Sequence, residues 1–292
     1  MNILTFDIEE WALAKAGGYG SEELYSKYED CLDKVLELLE RQNIKATFFC
    51  TGAMAKDFPH IVQKIGSSGY EVGCHSYSHS WLNKMSFQQC NEDISSAVKV
   101  LEDCLGKKVT SFRAPAFSIG EENVWVFDIL AENGITTDSS IFPARRDFGG
   151  FQSFNAKTPC LVSHNGVNIK EYPIDLAKLF GCDVAYSGGG YFRLLPLSYI
   201  NKQLRSADYS MCYFHISDLI KESSALLNRD EYESYFKEKG SLINRYKRHL
   251  KSNIGRKAAW VKLESLIIKN HFIDLSSANS QIDWSDITIV KV

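Results

Sequence analysis

No apolar run in the 292 residues approaches the ~20 needed to span a bilayer, so a transmembrane-helix protein is not expected. The eight cysteines (31, 50, 74, 90, 104, 160, 182 and 212) stand singly, several inside apolar runs such as Phe48-Phe49-Cys50, and no C-x-x-C pair occurs. That argues against a thiolate zinc site or a disulfide framework. It points to small buried hydrophobes in a reducing compartment, here read as the cytoplasm. The N-terminus has no basic stretch and reaches Asp7 within a strand-like run, so it reads as a first strand and not as a secretion leader. Internal repeats, low-complexity tracts and a dividing linker are also missing, which favours one domain over 1–292. With 45% hydrophobic and 24% charged residues the composition is that of an ordinary globular protein. The net charge of −3 conceals one asymmetry, because Phe236 to His271 carries ten Lys/Arg against two Glu. That stretch is expected either to be a solvated helical face or to meet phosphates or anionic lipid headgroups.

Short β-rich runs alternate with helical patterns. Strands are expected at Ile3 to Glu9, Ala46 to Cys50, Glu71 to His75, Thr110 to Phe117, Ile135 to Ser139, Val167 to Ile174 and Met211 to Ile216. Helices are expected at Tyr28 to Gln42, His60 to Ser68, Ser86 to Leu105 and Glu122 to Asn133, with Gly106 and Gly134 as C-caps. Strand-helix alternation implies an α/β fold with a parallel sheet, and about seven repeats suggest a barrel. Phe142 to Cys160, rich in Gly and Pro, is expected to loop over its mouth. Asp7, Glu9, His75, Arg113, Asp138 and His215 all fall at C-terminal strand ends, the face where barrel enzymes collect catalytic groups. If His75 to His79 were helical, both imidazoles would lie on one face and could share a divalent metal with a carboxylate from elsewhere.

The runs Thr5-Phe6-Asp7-Ile8-Glu9, Ala46-Thr47-Phe48-Phe49, Glu71 through His79, Phe112-Arg113-Ala114-Pro115-Ala116-Phe117 and Tyr213-Phe214-His215 resemble, in order, the motifs of the polysaccharide deacetylase, or NodB-homology, family. Asp138 through Pro143, Glu171-Tyr172-Pro173 and Gly190-Tyr191-Phe192-Arg193 resemble a bacterial branch tied to exopolysaccharide and surface-glycan synthesis. The resemblance implies a distorted (β/α) barrel with its core at 3–218, a C-terminal extension at 219–292 packed on it, and metal-dependent removal of an N-acetyl group from an amino sugar. Same-fold alternatives are a deformylase or another amide hydrolase, and a third reading is a glycan-binding barrel without turnover. Carried over, Asp7 corresponds to the base, Arg113 to its orienting partner, His215 to the acid, Ala116 to the backbone oxyanion donor, and His75 and His79 to metal ligands. The chemistry needs such groups because an amide is a poor electrophile; a metal polarises its carbonyl and lowers the pKa of a water from 15.7 towards ~7. Zinc is the first choice, with cobalt, nickel and iron(II) as alternatives.

Two departures shape the expectations. Many family members have adjacent Asp-Asp at the first motif, whereas Ile8 follows Asp7 here, so the carboxylate ligand moves to Glu9 or Glu10. Alternation along a strand favours Glu9, while a terminal bulge would favour Glu10. The Leu-His-Asp and Asp-Trp runs of the family are replaced as well, leaving Asp138, Asp147 and Asp218 as candidate partners of His215. For substrate contacts, Trp81 is the best of several aromatics (Trp11, Tyr77, Phe117, Phe148, Tyr191 and Phe192), with Asp138, Asp147 and Arg193 as polar candidates. The expected partner is an N-acylated carbohydrate and not a nucleic acid, with contact to a lipid carrier or the inner membrane face through the basic segment 237–269.

Overall fold

The computed structural model describes residues 1–145, 149–179, 181–221, 226–236 and 239–292. The strands are β1 (Asn2–Ile8), β2 (Thr47–Cys50), β3 (Glu71–Cys74), β4 (Ser111–Phe112), β5 (Thr137–Asp138), β6 (Cys160–His164), β7 (Val167–Glu171), β8 (Ala177–Leu179), β9 (Cys182–Val184), β10 (Ser210–His215) and β11 (Ile289–Lys291). One sheet runs β10-β1-β2-β3-β4-β5-β7-β6-β11, and its first seven members are parallel. β6 lies antiparallel to β7, and β8 and β9 form a separate hairpin. This is the distorted (β/α) barrel expected from the sequence.

Alternation along the strands separates two packed layers. Leu4, Phe6 and Ile8 of β1 and Cys212 and Phe214 of β10 join the core under the helices, whereas Ile3, Met211, Tyr213 and Phe49 join a second cluster with Tyr172 inside the sheet's curve. Arg113, just past β4, reaches Thr5 and Asp7 on β1, Ser139 past β5 and Met211 on β10, contacts that a flat sheet would not allow. The parallel register sets Asp7 directly beside His215. Two acid-base candidates 208 positions apart in sequence therefore meet at one strand end.

Helices form where capping and an apolar stripe coincide. Glu22–Arg41 starts at Ser21, whose hydroxyl accepts from the Leu24 N–H, and buries Leu32, Val35 and Leu39. Phe87–Leu105 opens with a Ser86/Gln89 capping box and closes on Gly106 at φ +66°. The helix at Arg256–Lys269 ties the C-terminal part to the barrel, with Leu263 and Leu266 buried and Lys262 Nζ donating to the carbonyls of Phe192, Arg193 and Leu195 at 2.6–3.0 Å.

Several expectations are corrected. The strand expected over Thr110 to Phe117 spans only Ser111–Phe112, because the chain turns through a 3-10 segment at Pro115–Phe117. The long loop ends before Cys160, which opens β6 of a hairpin turned by Asn165 (φ 45°) and Gly166 (φ 84°). His75 to His79 is not helical. It is a loop with Ser76 and His79 both in the left-handed region, φ 61° and 58°.

Candidate active site

The loop after β3 brings the imidazoles together by other means than a helix. His75 is anchored at its backbone N–H by the Cys50 carbonyl and at Nδ1, 2.7 Å from the Arg113 carbonyl oxygen. A carbonyl only accepts, so Nδ1 carries the proton and the Nε2 lone pair faces the site. The rest of the loop hangs on Asp93 of helix Phe87–Leu105, whose carboxylate accepts from the N–H groups of Tyr77 (2.7 Å) and Ser78 (3.2 Å) and from the Ser78 hydroxyl (2.9 Å). Asp93 carried no motif and was missed by sequence reasoning. Its only signal was a position near the end of the second turn of an amphipathic helix.

Glu9, His75 and His79 offer one ligand atom each, all within 4.8 Å of one another, the one such cluster among the described residues. Glu9 Oε2 is buried and receives no well-directed hydrogen bond, although His79 Nε2 and His75 Nε2 stand 2.6 and 3.2 Å away. Three lone-pair atoms converge there, as a bound cation would require, and the donor set of two imidazoles and a carboxylate suits a divalent metal. Burial would push the Glu9 carboxyl up, but the imidazoles of His79, His215 and His75 hold it well below the usual carboxylate range. Glu10 turns away. Its Oε1 accepts from the Ser217 N–H at 2.7 Å, and burial beside Glu9 pushes its pKa up to about 7.

Asp7 Oδ1 is held by Arg113 at 2.9 Å, and its Oδ2 lies 3.8 Å from His215 Nε2, itself 3.7 Å from Glu9 Oε1. The Arg113 guanidinium also donates to Thr5, to the Ser139 carbonyl and to the Ser139 hydroxyl, and lies 4.4 Å from the Phe49 ring centroid. It is fully buried and every direction is used, so it fixes Asp7 in place. Past Arg113, Ala116 and Phe117 both have φ of 54°, a strained turn against which the backbone of Gly149 packs so closely that a Cβ there would lie 2.6 Å from the Phe117 carbonyl oxygen. Ala116 lines the cleft wall.

His215 has a carboxylate partner after all. Its Nδ1 lies 3.2 Å from Asp218, and Asp218 is gripped in turn by Arg193, whose other NH2 donates to the Lys251 carbonyl at 2.7 Å. Burial would lower the His215 pKa, but Glu9, Asp218 and Asp7 outweigh it and hold the imidazole well above its usual value. Arg193, expected as a substrate contact, lines the cleft while mostly buried as the partner of Asp218, and Gly188 before it serves packing, since a Cβ there would lie 2.2 Å from the Tyr213 ring.

Asp138 is corrected too: it is fully buried, accepts from Ser140 at 2.5 Å, and faces Glu171 beneath the site. Asp147 and Phe148 lie outside the described residues. Trp81, Tyr77 and Tyr191 line the cleft, Phe117 lines it while mostly buried against Tyr213 and Phe142, and Trp11 and Phe192 are core residues. The cleft, about 2570 Å³, extends from Asp7 and His79 to Arg145, Arg248 and Arg256.

The polysaccharide deacetylase pattern matches residues 3–137, which hold Asp7, Glu9, His75, His79 and Arg113 in the geometry above. That matched segment, slightly less than half of the chain, is similar to the polysaccharide deacetylase family. The following segment, 139–277, matches a domain of unknown function (DUF3473) and supplies the other wall of the cleft, with His215, Asp218 and Arg193. The chain is 29% identical over 149 residues to a peptidoglycan-N-acetylglucosamine deacetylase of Bacillus cereus, an alignment covering 45% of this chain and 54% of that one. It is 34% identical over 88 residues to the peptidoglycan-N-acetylglucosamine deacetylase PgdA of Listeria monocytogenes, covering 30% and 19% respectively. The chain thus spans about half the length, or less, of these curated relatives. A crystal structure of a candidate polysaccharide deacetylase from Mycobacterium smegmatis superposes on all of this chain and 92% of its own, with a TM-score of 0.65 at 15% identity, which establishes the shared fold.

Proposed function

We propose that the protein is a metal-dependent hydrolase that removes an N-acetyl group from an amino sugar of a cell-envelope glycan or its precursor. The observation that carries this is the convergence on one strand end of an arginine-held aspartate, a Glu-His-His cluster and a carboxylate-backed histidine, the last within 4 Å of the first two. A divalent cation bound by Glu9, His75 and His79 would supply Lewis-acid polarisation of the amide carbonyl and acidify a water; zinc is favoured by the nitrogen-and-oxygen donor set.

Asp7 is placed to take the proton of the attacking water, because Arg113 leaves it one oxygen, Oδ2, facing the site. As the carbon-oxygen bond forms and the carbon-nitrogen bond breaks, His215 delivers a proton to the departing amine while Asp218 stabilises the imidazolium. The Ala116 N–H is assigned to the developing oxyanion by its place on the cleft wall, a contribution of roughly 10²–10³ in rate. A binding module would need neither Asp7, Arg113 nor His215. The eight unpaired cysteines, seven of them at least partly buried, favour a reducing compartment, and hence the cytoplasm. The cleft far exceeds the 300–1,000 Å³ of ordinary small-molecule sites, which favours an oligomeric or carrier-linked substrate over a free monosaccharide.

The reading is tested by acetate release from N-acetylglucosamine oligomers and from their N-formyl analogues by the zinc-loaded protein. Acetate formed in proportion to enzyme, and lost after chelation, is expected. Faster formate release would move the assignment to a deformylase, and no release from either would leave a binding barrel.

A further inference from the structure

Helix Leu242–Asn253 is inside out. Successive helical positions turn by about 100°, which gathers Leu242, Tyr246, Leu250 and Ile243 on an arc of roughly 100°. In a helix that packs on its own domain this stripe faces inward. Here these four side chains are 57, 51, 62 and 67% exposed, and no residue of the helix is fully buried. The half-buried side is the polar one, where Arg245 donates to the Leu227 carbonyl and Asn244 to the Lys239 carbonyl. The two remaining exposed positions, Lys247 and Lys251, flank the apolar stripe on one edge. Over residues 239–257 there are seven Lys/Arg and no Asp or Glu.

We propose that this face docks on the surface of an anionic lipid bilayer, with Leu242, Ile243, Tyr246 and Leu250 entering the headgroup boundary and Lys247 and Lys251 meeting lipid phosphates. An apolar stripe edged by cations is what an interfacial helix requires, since acyl chains take the one and negative headgroups the other. A second copy of the same face is disfavoured because it would set lysines against lysines with no acid in the segment to pair them. The docking also places the enzyme's cleft. Leu250, Lys251 and Ile254 line its mouth, as do Tyr191 and Leu194, which are 44 and 54% exposed, so the site would open along the membrane plane. The basic segment anticipated from sequence thus divides, with Arg245 and Arg248 half-buried on the cleft side, Lys251 exposed at the cleft mouth and Lys247 outward.

The test is co-sedimentation of the full chain with vesicles of phosphatidylcholine alone or with a quarter phosphatidylglycerol, read without any substrate and hence independent of the deacetylase reading. The wild type is expected to pellet with the anionic vesicles, and less as salt rises from 20 to about 150 mM. Leu242→Ser/Ile243→Ser/Tyr246→Ser, with an unchanged circular dichroism spectrum, is expected to remain in the supernatant at unchanged charge. Lys247→Gln/Lys251→Gln is expected to bind roughly 10- to 30-fold more weakly at low salt, and stands as the second arm should the triple variant misfold. Equal binding to both vesicle types, wild-type binding by both variants, or a wild-type dimer that the triple variant converts to monomer would overturn the proposal, the last by assigning the face to a second copy.

Discussion

Asp93→Ala should weaken metal binding by 10- to 100-fold although Asp93 is no ligand. The loop it holds contains two non-glycine residues in the left-handed region, Ser76 and His79, each costing roughly 1–2 kcal/mol. Against that cost the Asp93 carboxylate accepts three hydrogen bonds at 2.7–3.2 Å from Tyr77 and Ser78, each with a net contribution of about 1.5–3 kcal/mol for a charged acceptor. Without them the loop relaxes towards unstrained conformers and His79 Nε2 leaves its place 2.6 Å from Glu9. His75 keeps its own anchors on Cys50 and Arg113, so a two-ligand remnant persists. A loss of 10- to 100-fold corresponds to about 1.4–2.7 kcal/mol, the usual consequence of removing a group that orients a ligand. Competition for zinc against a chromophoric chelator measures it, with His79→Ala setting the loss of one ligand outright. Affinity within twofold of wild type, in a variant whose thermal stability has fallen, would refute the reasoning, because the loop would then be held by its remaining bonds from Gly52, Ala53 and His79.

Other consequences are independent of that loop. Glu9→Gln should abolish tight metal binding while Glu10→Gln retains it, since Glu10 is turned to the Ser217 N–H; elemental analysis of the purified variants decides between them. Asp7→Asn should keep the metal and lose at least 100-fold in kcat, because an amide cannot take the proton; turnover near wild type would make Asp7 structural. Arg193→Gln strips a buried carboxylate of its cation, so a loss of about 3 kcal/mol in unfolding free energy is expected, together with a lower kcat at unchanged metal content. Burial raises the carboxyl groups of Asp138 and Glu171 above their usual range, and the neighbouring Asp138 raises Glu171 further. Groups that hold protons more tightly folded than unfolded stabilise the fold fully below pH ~4 and lose that contribution as pH rises through the folded values. Glu171→Gln should therefore flatten the decline of Tm as pH rises above ~4, and parallel Tm curves for the two proteins would contradict it.

The sequence by itself determined the barrel and the strand ends that carry its polar groups. Alternation of apolar runs with helical periodicity is a local signal, and the end of β1 shows it: Asp7 on the strand and Glu9 just past it fall two apart, and both reach the site. Where the local signal was present but overlooked, as with Asn165-Gly166 between β6 and β7, the hairpin went unread although that pair is made for such a turn. Tertiary structure decided the rest. The histidine pair reads as an i, i+4 helical face, yet a loop strained at Ser76 and His79 and tied to a distant helix brings the rings together, and no spacing rule encodes that. Arg193 reads as a free cation beside a glycine run, but its ion pair with Asp218 exists only because helix Gly189–Leu194 packs beside the end of β10. Asp138 reads as one more strand-end acid, whereas the curl of the sheet buries it against Glu171. The direction of helix Leu242–Asn253 was equally hidden, because periodicity locates an apolar stripe without saying which side the molecule leaves uncovered. Such features depend on which groups lie within a few ångströms after folding, a property of long-range packing and not of neighbouring residues.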